Sequence, residues 1–111
     1  MVDQRSADLD RAFRALASAP RREILRRTAR QRCSISELAT HFDMSLPAVS
    51  KHVRVLADAG LLSMTLEGRT QWCRLEPRAL ARAQNTLETL AAHWERRLDA
   101  LESLLVRRRK R

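Results

Sequence analysis

The side chains able to do chemistry in this 111-residue chain fall into three groups. The first is a run of short and cationic residues on one side of a segment: Ser45, Pro47, Ala48, Ser50, Lys51 and Arg54, with His52 at its border. Leu46, Val49, Val53 and Leu56 keep helical spacing and claim the opposite side. A helix with a small, polar and basic face suits entry into a major groove about 12 Å wide, where Lys and Arg reach phosphates or guanine edges. The second group is Cys33 and Cys73. They are too few for a disulfide framework or a four-ligand metal site, and read as small buried hydrophobes or, if the fold brings them together, as a redox pair. The third is His41, His52 and His93, each on a separate segment. With two glycines in the whole chain there is no Gly-rich phosphate cradle, and no nucleophile and base stand in a recognisable pattern, so catalysis is not expected.

Lys and Arg number 22 against 13 acidic residues, a formal net charge of +9, and a field of that size attracts polyanions. Hydrophobic residues make up 44%, which argues for a folded core rather than a basic tail without structure. Sequence-selective RNA modules display stacking aromatics, whereas Tyr is absent here and most of the two Phe and two Trp sit at apolar-face positions. Double-stranded DNA is therefore the expected partner. No apolar run approaches the roughly 20 residues of a membrane span, and Met1 to Ser6 lack the apolar stretch of a secretory signal. A cytoplasmic, nucleoid-associated place is expected, with residues 1–111 forming one domain.

Local patterns supply the elements that must position the basic face. Leu9, Ala12, Phe13, Leu16 and Ala17 mark an amphipathic helix over 8–18, ended by Pro20, and a second helix over about 21–29 turns Arg21, Arg22, Arg26 and Arg27 outward. The spacing of Ser34 and Glu37 is that of a capping box and starts a short third helix. Ser45 caps a fourth over 46–59, which Gly60 stops. Leu62, Met64 and Leu66 then alternate as a strand, Gly68 makes a tight turn, and Thr70 to Leu75 return, with Arg69 and Gln71 at the tip. The neighbours Trp72 and Cys73 leave open which of them faces inward. The last helix, over 78–106, carries Leu80, Leu87, Leu90, Trp94, Leu98, Leu101 and Leu105 in a coiled-coil-like seam that one small domain cannot easily cover. Residues 107–111 are a basic tail, read as solvated and disordered, though able to touch phosphates. The fold class is mainly α with a two-stranded β-wing, a winged helix-turn-helix with four helices, two strands and a fifth helix.

Three blocks carry a family resemblance: Phe13 to Leu25 (FRALASAPRREIL), Ile35 to Ala39 (ISELA) with Ser45 to Leu56 (SLPAVSKHVRVL), and Ala59 to Leu62 (AGLL). With Gly68-Arg69 and Leu75-Glu76-Pro77 they resemble regulators of the ArsR/SmtB type over about residues 8 to 105. The resemblance implies a homodimeric repressor that binds an inverted-repeat operator. Ser45, Pro47, Ala48, Ser50, Lys51, His52 and Arg54 would then lie at the DNA, with Arg69 on the wing. The first and last helices would form the dimer contact, through Leu9 and Phe13 with Leu87, Leu90, Trp94, Leu98, Leu101 and Leu105.

Many members of that family answer to metals, and here the chain departs from its pattern. Ser34 and Ser36 stand where the arsenic-type motif has cysteines, and Cys33 is offset by one. The last helix offers only His93, Glu95 and Asp99 near its middle, so no metal and no cofactor are assigned. A thiol- or metal-responsive repressor using Cys33 and Cys73 stays open, as do an unidentified small-molecule or thiol-reactive inducer and non-specific architectural binding of nucleic acid.

Overall fold

A computed structural model describes residues 4–109. In chain order the elements are α1 (Gln4–Leu16), α2 (Ala19–Arg30), β1 (Cys33–Ser34), α3 (Ile35–Ala39), α4 (Leu46–Asp58), β2 (Leu62–Glu67), β3 (Thr70–Leu75) and α5 (Pro77–Arg109). This is the winged helix-turn-helix order expected from the sequence, with one addition: the sheet has three strands, in the order β1-β3-β2.

Polar side chains set the helix boundaries. α1 stops at Leu16 rather than Ser18, because Ser18 leaves the helix at φ −124, ψ 127 and its Oγ accepts from the N–H of Arg21 as the cap of α2. Pro20 then sits in the first turn of α2, where its missing N–H is harmless. Two arginines expected to point outward turn back instead. Arg21 Nε donates to Ala15 O at 2.7 Å, its Nη2 to Arg14 O at 3.0 Å, and Arg22 Nη1 to Leu16 O at 2.8 Å. These carbonyls lie in the last turn of α1, where backbone donors run short, although Arg14 O also accepts from Ala17 N at 3.2 Å, so the two guanidiniums help to close a helix terminus while Arg22 stays exposed. Ser34 Oγ caps α3 by accepting from Glu37 N at 3.0 Å, and Ser45 Oγ caps α4 from Ala48 N at 3.3 Å. Gly60, at φ +76, ends α4 in the left-handed region that a side chain would strain.

The core lies where α2, α3 and α4 meet the sheet. Ile24, Leu38, Val49, Val53, Leu56 and Leu61 are fully or almost fully buried. Cys73 faces this core and Trp72 is half-buried on the other side, which resolves the strand's ambiguous alternation. The guanidinium of Arg32 lies 4.2 Å from the centre of the Trp72 ring, and its Nη1 pairs with Glu67 Oε1 at 2.8 Å, pinning β1 to the hairpin. Inward burial fades along β2, from Leu62 buried through Met64 half-buried to Leu66 exposed, as the hairpin leaves the body of the domain. At its tip Gly68 takes φ +62, as the first position of a two-residue hairpin loop requires.

α5 is held to the domain at its start only. Ala79 and Ala83 are its buried residues, and its first turns pack on α1, after which the helix projects. The molecule is therefore 74 Å long against 35 and 21 Å in the other directions. Arg107, Arg108 and Arg109 continue this helix instead of forming a disordered tail, since basic residues are good helix formers and favoured at a helix C-terminus. Lys110 and Arg111, the remainder of the expected tail, lie outside the described residues. Among the described residues no helix is long and apolar enough to cross a membrane.

Candidate nucleic-acid interface

α4 is amphipathic in fact as in sequence. Val49, Val53 and Leu56 are fully buried, while Pro47, Lys51 and Arg54 are exposed and Ala48 and Ser50 half-buried. Leu46, placed on the inner side by its spacing, is 51% exposed and lines a cleft with Ile35 and Ser36 at the start of α3. Its position matters for the site. Ser36 of α3, Leu46, Pro47 and Ser50 of α4, and Arg69 and Gln71 of the wing line one open cleft. The wing tip thus stands beside the N-terminal half of α4, joining two groups of side chains about twenty residues apart in the chain. On the other side of Pro47 and Ser50 a second hollow is lined by Lys51 and Arg54.

The cap geometry adds to the charge. Ser45 takes up the N–H of Ala48 and Pro47 has none, so the end of α4 offers an anion its helix dipole rather than a row of free donors. Arg69 of the wing lines the cleft beside that end, and the exposed Lys51 and Arg54 follow further along α4.

His52 differs from its neighbours. It is half-buried, and its Nδ1 lies 3.3 Å from Nη1 of Arg21. A guanidinium can only donate, so Nδ1 accepts and the ring is the neutral tautomer with its proton on Nε2. Burial, then the nearby charges of Arg21 and Lys51, hold its pKa below the usual 6.5. Sequence spacing gives no sign of this contact, since Arg21 lies 31 residues away and is expected to point outward from its helix.

The seam residues divide by helix. Leu9 and Phe13 of α1 are half-buried, whereas Leu87, Leu90, Trp94, Leu98, Leu101 and Leu105 of α5 are all more than half exposed, reaching 62% at Trp94. Leu104 and Val106, which the three-and-four spacing passed over, extend the same exposed surface.

Cys33 and Cys73 are direct partners across the β1-β3 ladder, and both are buried free thiols. Burial pushes the Cys73 thiol up to about 11, with Cys33 adding to the effect. Cys33 is also raised, by burial and then by Glu37, against a smaller opposing pull from Arg27. Ser34 is committed to capping α3, Ser36 is exposed, and His93, Glu95 and Asp99 are exposed on α5. Among the described residues no three His, Cys, Asp or Glu side chains cluster as a metal site would need.

Comparison with known proteins agrees with this architecture. Residues 16–65 match the Helix-turn-helix domain family. The chain is 35% identical over 96 residues to the HTH-type transcriptional regulator Rv2034 of Mycobacterium tuberculosis, covering 86% of this chain and 87% of the relative. An ArsR-like transcriptional regulator from Rhodococcus sp. RHA1 superposes with a TM-score of 0.81 at 35% identity, over 94% of this chain and 95% of that one. The homodimeric winged helix-turn-helix DNA-binding domain Mb0332 of Mycobacterium bovis gives a TM-score of 0.64 at 26% identity, over 83% and 88% of the two chains. Identity of this extent, over a shared helix order and wing, makes the chain a member of the ArsR family of winged helix-turn-helix transcriptional regulators, a family of DNA-binding proteins and not of enzymes.

Proposed function

We propose that the protein is a homodimeric repressor that reads an inverted-repeat operator. α4 enters the major groove with Ser45, Pro47, Ala48, Ser50, Lys51 and Arg54 toward the duplex, and Arg69 and Gln71 of the wing contact the adjacent backbone or minor groove. The observation that carries this reading is the single cleft shared by the wing tip and the N-terminal half of α4, bordered by exposed cations. The second subunit covers the apolar surface of α5, a reading drawn from its exposure, and the homodimeric state of the Mycobacterium bovis domain supports a dimer as such. Such a protein works where the chromosome is, in the cytoplasm with the nucleoid. Neither a metal nor a cofactor is part of this reading. The test is affinity for the upstream region of its own gene against random duplex: a specific regulator prefers the former by about a thousandfold or more at physiological salt. Equal affinity for both would leave a non-specific, architectural role instead.

A second reading, a thiol-responsive repressor, draws on the register of Cys33 opposite Cys73. Direct partners in an antiparallel ladder have Cα atoms about 4.5 to 5.5 Å apart, inside disulfide range. A peroxide would take two electrons and two protons from the thiols, forming the S–S bond and two waters. Burial keeps both thiols protonated, so the reaction is slow. Peroxide-dependent release of DNA that disappears in Cys33→Ser would establish this reading, and release unchanged by that substitution would remove it.

A further inference from the structure

Arg21 stands at the junction of three elements. It belongs to the first turn of α2, yet its guanidinium serves α1 and α4: Nε and Nη2 donate to the carbonyls of Ala15 and Arg14 at 2.7 and 3.0 Å, and Nη1 donates to Nδ1 of His52 at 3.3 Å. Three donors of one rigid plane thus take three acceptors, two at the end of α1 and one on the helix proposed to read DNA. A lysine ammonium, a point charge on a flexible stem, cannot span this set.

We propose that Arg21 is a positioning residue for DNA binding, locking the end of α1 to His52 so that α4 keeps a fixed angle to α1, the helix on which the proposed dimer helix α5 packs. The proposal rests on the DNA reading of α4, and it gives His52 a role other than phosphate contact. Half-sites on a duplex have a fixed spacing, so two recognition helices must be held at a fixed angle across the dimer. α1 packs on the first turns of α5, whose exposed apolar surface is given to the partner, and Arg21 is the polar link from the end of α1 to α4. A loose link lets each α4 swing, and affinity falls through lost preorganisation without loss of a DNA contact.

The clamp exists only while Nδ1 can accept. Protonated His52 would lose the hydrogen bond and face the guanidinium with a like charge. The charges acting on the ring do not relieve this, since Arg21 from α2 and Lys51 on α4 itself are both cationic; the neighbouring cleft where α1, α2 and α4 meet is lined by Arg11, Arg14 and Arg21 with Asp58. The sign follows. The clamped protein binds a proton less readily than a free imidazole with pKa 6.5, so the link is whole above that pH and is lost as pH falls below it. A phosphate contact by His52 has the opposite sign, since protonation would then tighten binding.

The test measures the affinity of the intact protein for a labelled duplex from its own upstream region between about pH 7.5 and pH 5.5. Wild type is expected to weaken by about three- to tenfold on acidification relative to His52→Asn, which places an acceptor at the Nδ1 position and cannot titrate. His52→Asn should bind at pH 7.5 within about threefold of wild type, and His52→Leu, with no acceptor, about five- to tenfold more weakly. Arg21→Gln should lose about tenfold at pH 7.5 and lose the acid-dependent difference as well. Because it also uncaps α1, its thermal melt is recorded alongside, and the His52→Asn comparison carries the test if it fails to fold. Wild type tightening on acidification relative to His52→Asn, or matching it at both pH values, overturns the proposal. Lys51→Ala and Arg54→Ala separate the two levels: if they weaken binding while the pH result is wrong, only the clamp fails, and if they leave binding unchanged the DNA reading fails with it.

Discussion

α4 and α5 are both amphipathic by spacing, and the structure treats their apolar faces in opposite ways. The stripe of α4 is covered by its own chain, with Val49, Val53 and Leu56 at 0% exposure. Only two alanines of α5 are buried, Leu80 is half-buried against the core, and from Leu87 onward the leucines and Trp94 stand in solvent along several turns. The same sequence pattern therefore marks a core in one helix and an uncovered seam in the other. What separates them is what lies alongside: α2, α3 and the sheet enclose α4, while α5 runs past the end of α1 with nothing beside it. An exposed apolar surface of that length belongs against another molecule, and the proposal here gives it to a second copy of this chain.

Substitutions that act on one helix and spare the other sharpen this contrast. The largest effect is expected from charge in the seam. Leu98→Glu with Leu101→Glu should turn the dimer into a monomer in sedimentation and weaken operator binding by about a hundredfold or more, because two linked half-site contacts become one. A dimer that survives both changes would place the interface elsewhere. Next comes the core of α4: Leu56→Ala should destabilise the fold by about 2–5 kcal/mol in denaturant unfolding, whereas Leu90→Ala should leave the unfolding of the monomeric seam variant almost unchanged. Comparable losses at the two positions would erase the distinction between core and seam. Ser45→Ala removes the cap of α4 and should cost about 1 kcal/mol of stability, read from the same unfolding curves. The smallest effect is at the DNA face. Lys51→Ala should weaken binding to all duplexes alike and reduce the slope of log affinity against log salt by about one, and an unchanged slope would move Lys51 off the phosphate backbone.

Much of this is legible in the amino-acid sequence. Caps and breakers act within a few residues, so Ser34, Ser45, Gly60 and Gly68 mark their boundaries from sequence alone. The buried side of α4 follows from periodicity, as does the apolar seam of α5. Three features were not legible, each for a physical reason. β1 is two residues long, too short to show a period, and exists because β3 offers it a partner. Leu46 matches the inner spacing of α4, but the first turn of a helix has a neighbour only if the preceding element folds over it. Arg21 looks like any solvated arginine in a basic helix, since its acceptors, the α1 carbonyls and His52, become neighbours only after three helices have packed. Local chemistry sets the ends of elements, and long-range contacts set the roles of side chains between them. The register that places Cys33 opposite Cys73 belongs to the second kind.

The central claim joins the two helices: α5 makes the dimer, and the dimer presents two copies of α4 to one duplex. Hydroxyl-radical and methylation footprinting of the chain on its own upstream region tests this most directly. Two protected major-groove segments, centred about 10 base pairs apart or a multiple of that and related by an imperfect inverted repeat, are the predicted result. One asymmetric segment with no second half-site, at concentrations where the protein sediments as a dimer, would contradict it.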